Sequence, residues 1–222
     1  MGSDNLFHKR KAKNAAHLKR RGAKRAPYDK VLIVCEGSKT EPNYFVELSD
    51  HYKLNSANIA ICGDCGSAPI SIVGEAQKRY RKEQQKGDAF DRVYCVFDQD
   101  THQSYNQAIS EINRLKPANT FFAITSVPCF EFWLLLHFEY TTRAFHGIPG
   151  GDSAGEQMVK ELKKYIPNYA KGTRDHFMPL IDQLPQAKQH AQQVLQQSQF
   201  NGDNPSTRIH ELVDYLQNLK TR

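Results

Sequence analysis

From residue 31 onward the chain alternates two hydrophobic patterns. Short runs are apolar nearly throughout: VLIVC (31–35), ANIAIC (57–62), the apolar part of DRVYCVFDQD (91–100) and NTFFAITS (119–126). Between them, apolar residues recur at three- and four-residue spacing. A run without polar alternation predicts a strand covered on both faces, and the spaced pattern predicts a helix with one buried face. Thr40-Glu41-Pro42 opens the first helix by capping logic, with Phe45, Leu48 and Tyr52 on its inner side. Ser67 and Pro69 open the second, with Ile70, Val73 and Tyr80 inward and Lys78, Arg79, Arg81, Lys82 and Lys86 outward, until Gly87-Asp88 stops it. The third runs through Ala108, Ile112 and Leu115 to Pro117. Strands alternating with helices predict the α/β class, a mainly parallel sheet flanked by helices.

Beyond residue 126 the pattern changes. PCFEFWLLLHFEY (128–140) predicts a very apolar helix starting at Pro128, and residues 141–180 read as loop, rich in Gly and Pro. Two further helices are expected near 185–198 and 205–218, the last with Ile209, Leu212, Val213 and Leu216 as its inner stripe. The expected organisation is therefore a basic arm (1–27), an α/β domain (28–140) and a loop-rich, helical C-terminal extension (141–222) packed on it.

Composition sharpens this in three ways. A hydrophobic content of 39% is that of a folded chain, and no apolar run is long enough for a membrane span. The first residues lack the apolar core of a secretory signal, so a cytoplasmic location is expected. An odd number of cysteines, five, two of them in expected buried strands, favours reduced thiols; the single CxxC, Cys62 and Cys65, lacks a second pair with which to hold zinc. The net charge of +6 is uneven: residues 1–27 carry nine Lys or Arg against Asp4, a net of +8, leaving −2 for the rest. Such an arm is drawn to nucleic-acid phosphates, and reads equally as a solvated tail.

Carboxylates then gather at one place. In a parallel sheet, ligands bind beyond the carboxyl ends of the strands. Glu36 ends the first strand, Asp98 and Asp100 end the third, and Glu131 follows the fourth in the first turn of the apolar helix. Side chains two apart on an extended strand point the same way, so Asp98 and Asp100 converge. Carboxylates so close repel unless a cation neutralises them, and oxygen-only ligands favour Mg²⁺ or Mn²⁺. Each has a plainer reading: an N-cap for one of the aspartates, the helix dipole for Glu131.

Glu-Gly after the first strand and DxD after the third resemble the Toprim domain, a Rossmann-like metal-dependent module. More closely, VLIVCEGSKTEPNYF, VYCVFDQD, PCFEFWLLLHFE, YAKG and NPSTRIHELVDYL resemble, in order, the motifs of the RloB-like family over residues 31 to about 218. That resemblance implies a prokaryotic protein of restriction and abortive-infection loci, often beside an ATPase. It implies a Mg²⁺-dependent nuclease acting on RNA, perhaps tRNA, or DNA. Asp98 and Asp100 would hold the metal with Glu36 as a further ligand or acid/base, and Glu131 would complete the site. Lys39 is placed to hold a phosphate, or is a solvated loop lysine. His102 reads better as an exposed first-turn residue than as a proton shuttle. Lys171 and Arg174 would contact the substrate backbone and Tyr169 would stack on a base. The alternatives are a metal-binding regulatory partner of an ATPase and a primase-like nucleotidyl transferase.

Overall fold

A computed structural model describes residues 26–66, 68–99 and 103–221. Most of the basic arm, Asp100 and His102 therefore lie outside the described residues. The elements in chain order are β1 (Val31–Cys35), α1 (Thr40–His51), β2 (Ile59–Cys62), α2 (Pro69–Gln85), β3 (Arg92–Asp98), α3 (Tyr105–Arg114), β4 (Phe121–Val127), α4 (Glu131–Leu135), α5 (Ala154–Leu162), α6 (Leu184–Asn201), β5 (Ser206–Thr207) and α7 (Ile209–Gln217), with a 3₁₀ turn at Met178–Gln183. The five strands form one sheet in the order β2-β1-β3-β4-β5, parallel except for the β4–β5 pair.

The unbroken apolar strands follow from burial on both faces. Val31, Ile33, Cys35, Tyr94, Val96 and Ile124 face a core shared with α1, α4 and the C-terminal helices. Leu32, Val34, Val93, Cys95 and Phe97 face a second core under α2 and α3. Every residue of β1 is at most 1% exposed, so neither face has room for a polar side chain. The C-terminal region is part of this packing: Phe145, Met158, Leu162, Ala187, Ala191, Val194 and the inner stripe of α7 share one core with β1 and α1.

Three elements differ from expectation. The apolar segment 128–140 is α-helical only over Glu131–Leu135. At its ends the bonds tighten to three residues, Phe132 N–H to Cys129 O and Trp133 N–H to Phe130 O at the start, His137 N–H to Leu134 O and Phe138 N–H to Leu135 O at the finish. The Trp133 carbonyl is met instead by His137 Nδ1 at 3.0 Å, and Trp133 Nε1 donates to Tyr44 Oη at 2.9 Å. Tertiary partners thus take over from helical ones in a segment that packs on all sides. The region 141–180 contains α5, closed by a capping box in which the Ser153 and Glu156 side chains each meet the other's backbone N–H. The last expected helix begins at Ile209 rather than 205, because Ser206 and Thr207 instead pair with Val127 and Ser126 as an edge strand.

Candidate active site

The strand register sets the site. Glu36 and Asp98 leave neighbouring parallel strands, β1 and β3, at the same edge. The Glu36 N–H donates to Val96 O at 3.0 Å, continuing the ladder past the strand end. Its Oε2 accepts the Asp98 N–H at 3.1 Å. Asp98 Oδ2 in turn accepts the Phe130 N–H at 3.2 Å, tying β3 to the start of α4. Glu131, 2% exposed, accepts from Tyr169 Oη at 2.9 Å and pairs with Lys171 Nζ at 3.2 Å. Glu131 therefore lies in the acidic cleft, not merely at a helix end. The cleft, about 380 Å³, is lined by Lys39, Glu41, Asp98, Glu131 and Lys171, with Gly37 and Gly172 at its rim.

Glu41 is the residue that the sequence reading missed. In the sequence it marks only the Thr40-Glu41-Pro42 opening of the first helix, yet it is 8% exposed and lines the cleft. Its carboxylate folds back over the 36–37 loop: a Cβ on Gly37 would fall 2.2 Å from Glu41 Oε2. Gly37 is thus the space that Glu41 occupies. A glycine directly after Glu36 and an acid four residues later were the available signals.

Burial, followed by the charges of Glu131 and Glu36, pushes the Glu41 carboxyl up to about 7, against the pull of Lys171. Burial, then Glu41, Glu131 and Glu36, raises Asp98 well above the usual carboxylate range, against the Phe130 N–H. Burial lowers Lys171, but the Glu131 carboxylate outweighs it and holds the ammonium above its ordinary value. The cleft is thus short of positive charge. Oxygen-only donors that raise one another's pKa fit a hard divalent cation. Among the described residues, no three His, Cys, Asp or Glu side chains already surround one point as ligands.

The remaining expected residues are placed differently from one another. Lys39 precedes α1 and is exposed on the cleft wall, its stem 3.0–3.7 Å from where a Cβ on Gly172 would lie. Tyr169 is 2% exposed and hydrogen-bonded to Glu131, so its ring is not presented for stacking on a base; it positions the carboxylate instead. Arg174 is exposed and is not among the residues lining the cleft. All five cysteines are free, with the Cys62 and Cys65 sulfurs 3.6 Å apart.

Two supports hold these groups in place. The segment 169–177 is docked on α1: Gly172 N–H donates to Thr40 Oγ1 at 2.8 Å, and Glu47 accepts from Asp175 N–H at 2.7 Å and Phe177 N–H at 2.9 Å. Glu47→Ala leaves two backbone donors without that acceptor and should cost about 1–2 kcal/mol. Amide exchange should quicken across 172–177 ahead of the sheet; unchanged exchange there would show that Glu47 does not hold the loop. On the other side, a Cβ on Gly63 would meet Gly37 O at 2.4 Å and Pro42 Cγ at 2.6 Å. Gly63→Ala must therefore shift the 36–37 loop, and should lower stability by about 1–3 kcal/mol, read by denaturant melts. A neutral result would mean that this loop yields freely.

A mainly parallel α/β sheet with an acidic cleft beyond its strand ends defines an α/β protein with a site at the strand carboxyl edge. The family model described as RloB-like protein matches residues 31–216, and the chain belongs to the RloB-like family. That membership associates it with restriction and defence. A comparison with curated proteins found no match. Among the described residues, no helix is long and apolar enough to cross a membrane.

Proposed function

We propose that this chain is a divalent-metal-dependent nuclease of a prokaryotic antiphage system, cleaving phosphodiester bonds of RNA or DNA. The observation that carries this reading is the gathering of Glu36, Glu41, Asp98 and Glu131 at the strand ends, where burial, and after it the neighbouring carboxylates, raise Glu41 to about 7 and Asp98 well above its usual range. The order of Glu36 and the Asp98/Asp100 pair, as in Toprim domains, points the same way. Glu36, Asp98 and Asp100 would hold Mg²⁺ or Mn²⁺, with Glu41 beside them. When bound, such an ion activates water and stabilises the leaving oxygen.

The chain's own residues supply the rest. Glu41, with a carboxyl pushed up to about 7, is suited to carry a proton at neutral pH. Lys171, charged and held against Glu131, and Lys39, which lines the same cleft, can take the non-bridging oxygens of a phosphate. Tyr169 fixes Glu131 so that Lys171 has a constant position. A second reading, a metal-binding regulatory partner of an ATPase, is favoured by the internal donors that already engage Glu36 and Glu131. Incubating labelled tRNA, single-stranded DNA and duplex DNA with the purified chain and Mg²⁺, with and without EDTA, separates the two. Metal-dependent cleavage of any of them supports the enzyme. Metal binding without cleavage, in the presence of the partner ATPase as well, supports the regulatory subunit.

A further inference from the structure

A second cleft, about 470 Å³, opens between the 128–129 turn and α5, and Asp98 and Lys171 line it as well as the first. The two hollows therefore adjoin at Asp98 and Lys171. The floor of the second is apolar, formed by Pro128 and Val159, and helix α5 closes over it, with a Cβ on Gly155 falling 4.0 Å from Cys129 Sγ. Its wall carries Lys160 and Lys163. Lys160 is neutralised by Asp152, and the Glu156 carboxylate is committed to the capping box. Among the described residues Lys163 makes no ion pair, and neither does Lys39 in the first cleft. Among the described residues, an ammonium group without an ion pair thus lines each cleft, Lys39 the first and Lys163 the second, with Asp98 lining both.

A polynucleotide crossing those carboxylates presents a phosphate on each side of the one being attacked, and each phosphate needs a cation. Resting on the nuclease reading above, we propose that the α5 cleft holds the nucleotide next to the scissile phosphate, with Lys163 as its phosphate partner and Pro128 and Val159 as the surface for its sugar or base. Each cleft has the size of a small-ligand pocket, not of a duplex groove, so the substrate class this assigns is a single strand.

The test is binding of fluorescein-labelled oligothymidylate and oligouridylate to the full chain, followed by anisotropy over a range of salt. Ca²⁺ replaces Mg²⁺ so that binding is read without turnover, with oligomer length checked on a gel. Lys163→Ala should weaken binding about three- to five-fold at low salt and reduce the log–log salt slope by about 0.7. Lys164→Ala, one residue on and paired with Glu161, should change neither. If Lys163→Ala behaves like Lys164→Ala while Lys39→Ala weakens binding, the α5 cleft is not on the strand's path, and the nuclease reading survives. If the wild-type chain binds neither oligomer, the single-strand inference falls, while the nuclease reading stands or falls on the cleavage of tRNA and duplex DNA described above. An equal loss on a blunt DNA duplex would overturn the single-strand assignment.

Discussion

Glu41→Gln should make the metal-free protein more stable at about pH 8, by up to about 3 kcal/mol, and should leave it little changed near pH 4. The carboxyl sits at about 7 in the folded chain against an ordinary value of 4.5. The folded state therefore holds this proton more tightly than the unfolded state does. Stability from the protonated form is fully present below about pH 4.5 and is lost as pH rises through about 7. Glutamine keeps the shape without the charge, so the variant should escape that loss. For a chain of this length the difference corresponds to roughly 5–10 °C in the melting midpoint at alkaline pH. Melts across the pH range check it. A constant offset between variant and wild type from pH 4 to 8 would mean that Glu41 does not titrate against its neighbours. Added Mg²⁺ should narrow the gap from the other side, since the wild type gains a partner for a charge that the variant lacks.

Asp98→Asn carries the largest expected effect on activity. Asp98 touches Glu36 through its N–H and α4 through its carboxylate, and it lines both clefts. Asparagine preserves these contacts in outline but removes a carboxylate raised well above its usual range by its neighbours. Cleavage should fall by about 10³-fold, as for loss of a group on which the others act as a unit. The metal-free melting point should rise or hold, because repulsion with Glu41 and Glu131 is relieved. The two readouts together are informative. A variant that is stable and inactive supports a site built for charge at the expense of stability. A variant that cleaves as well as the wild type would remove Asp98 from the mechanism and favour the regulatory reading.

Much of this was legible along the chain. The central parallel strands could be read because both faces are buried, which leaves an apolar signature that no alternating surface strand carries; the edge strand β2 is apolar too, though only Ile59 in it is buried. The pairing of Glu36 with Asp98 followed from the same reading, since adjacent parallel strands end at one edge. Glu131 was legible for a related reason: a carboxylate at the head of so apolar a segment needs a polar pocket, and here Tyr169 and Lys171 provide it.

What the one-dimensional pattern left undetermined depends on contacts between distant segments. Glu41 has the sequence context of any first-turn acid; only the space left by Gly37 and the nearness of Glu131 turn it into a site residue with a raised pKa. Tyr169 carries no local sign of whether its ring faces solvent or its hydroxyl faces a carboxylate, and packing of the 169–177 segment on α1 decided for the latter. The shortness of α4 was equally hidden, because its apolar residues satisfy helical periodicity while tertiary donors and acceptors close its ends early. The two-residue strand β5 is too short to show any period, and it exists because the edge of β4 offers Ser126 and Val127 as partners. Periodicity and strand ends are local properties, and the sequence determined them by itself. Which charges share a cleft is a property of the folded sheet and the loops that close over it, and only the tertiary structure decided that.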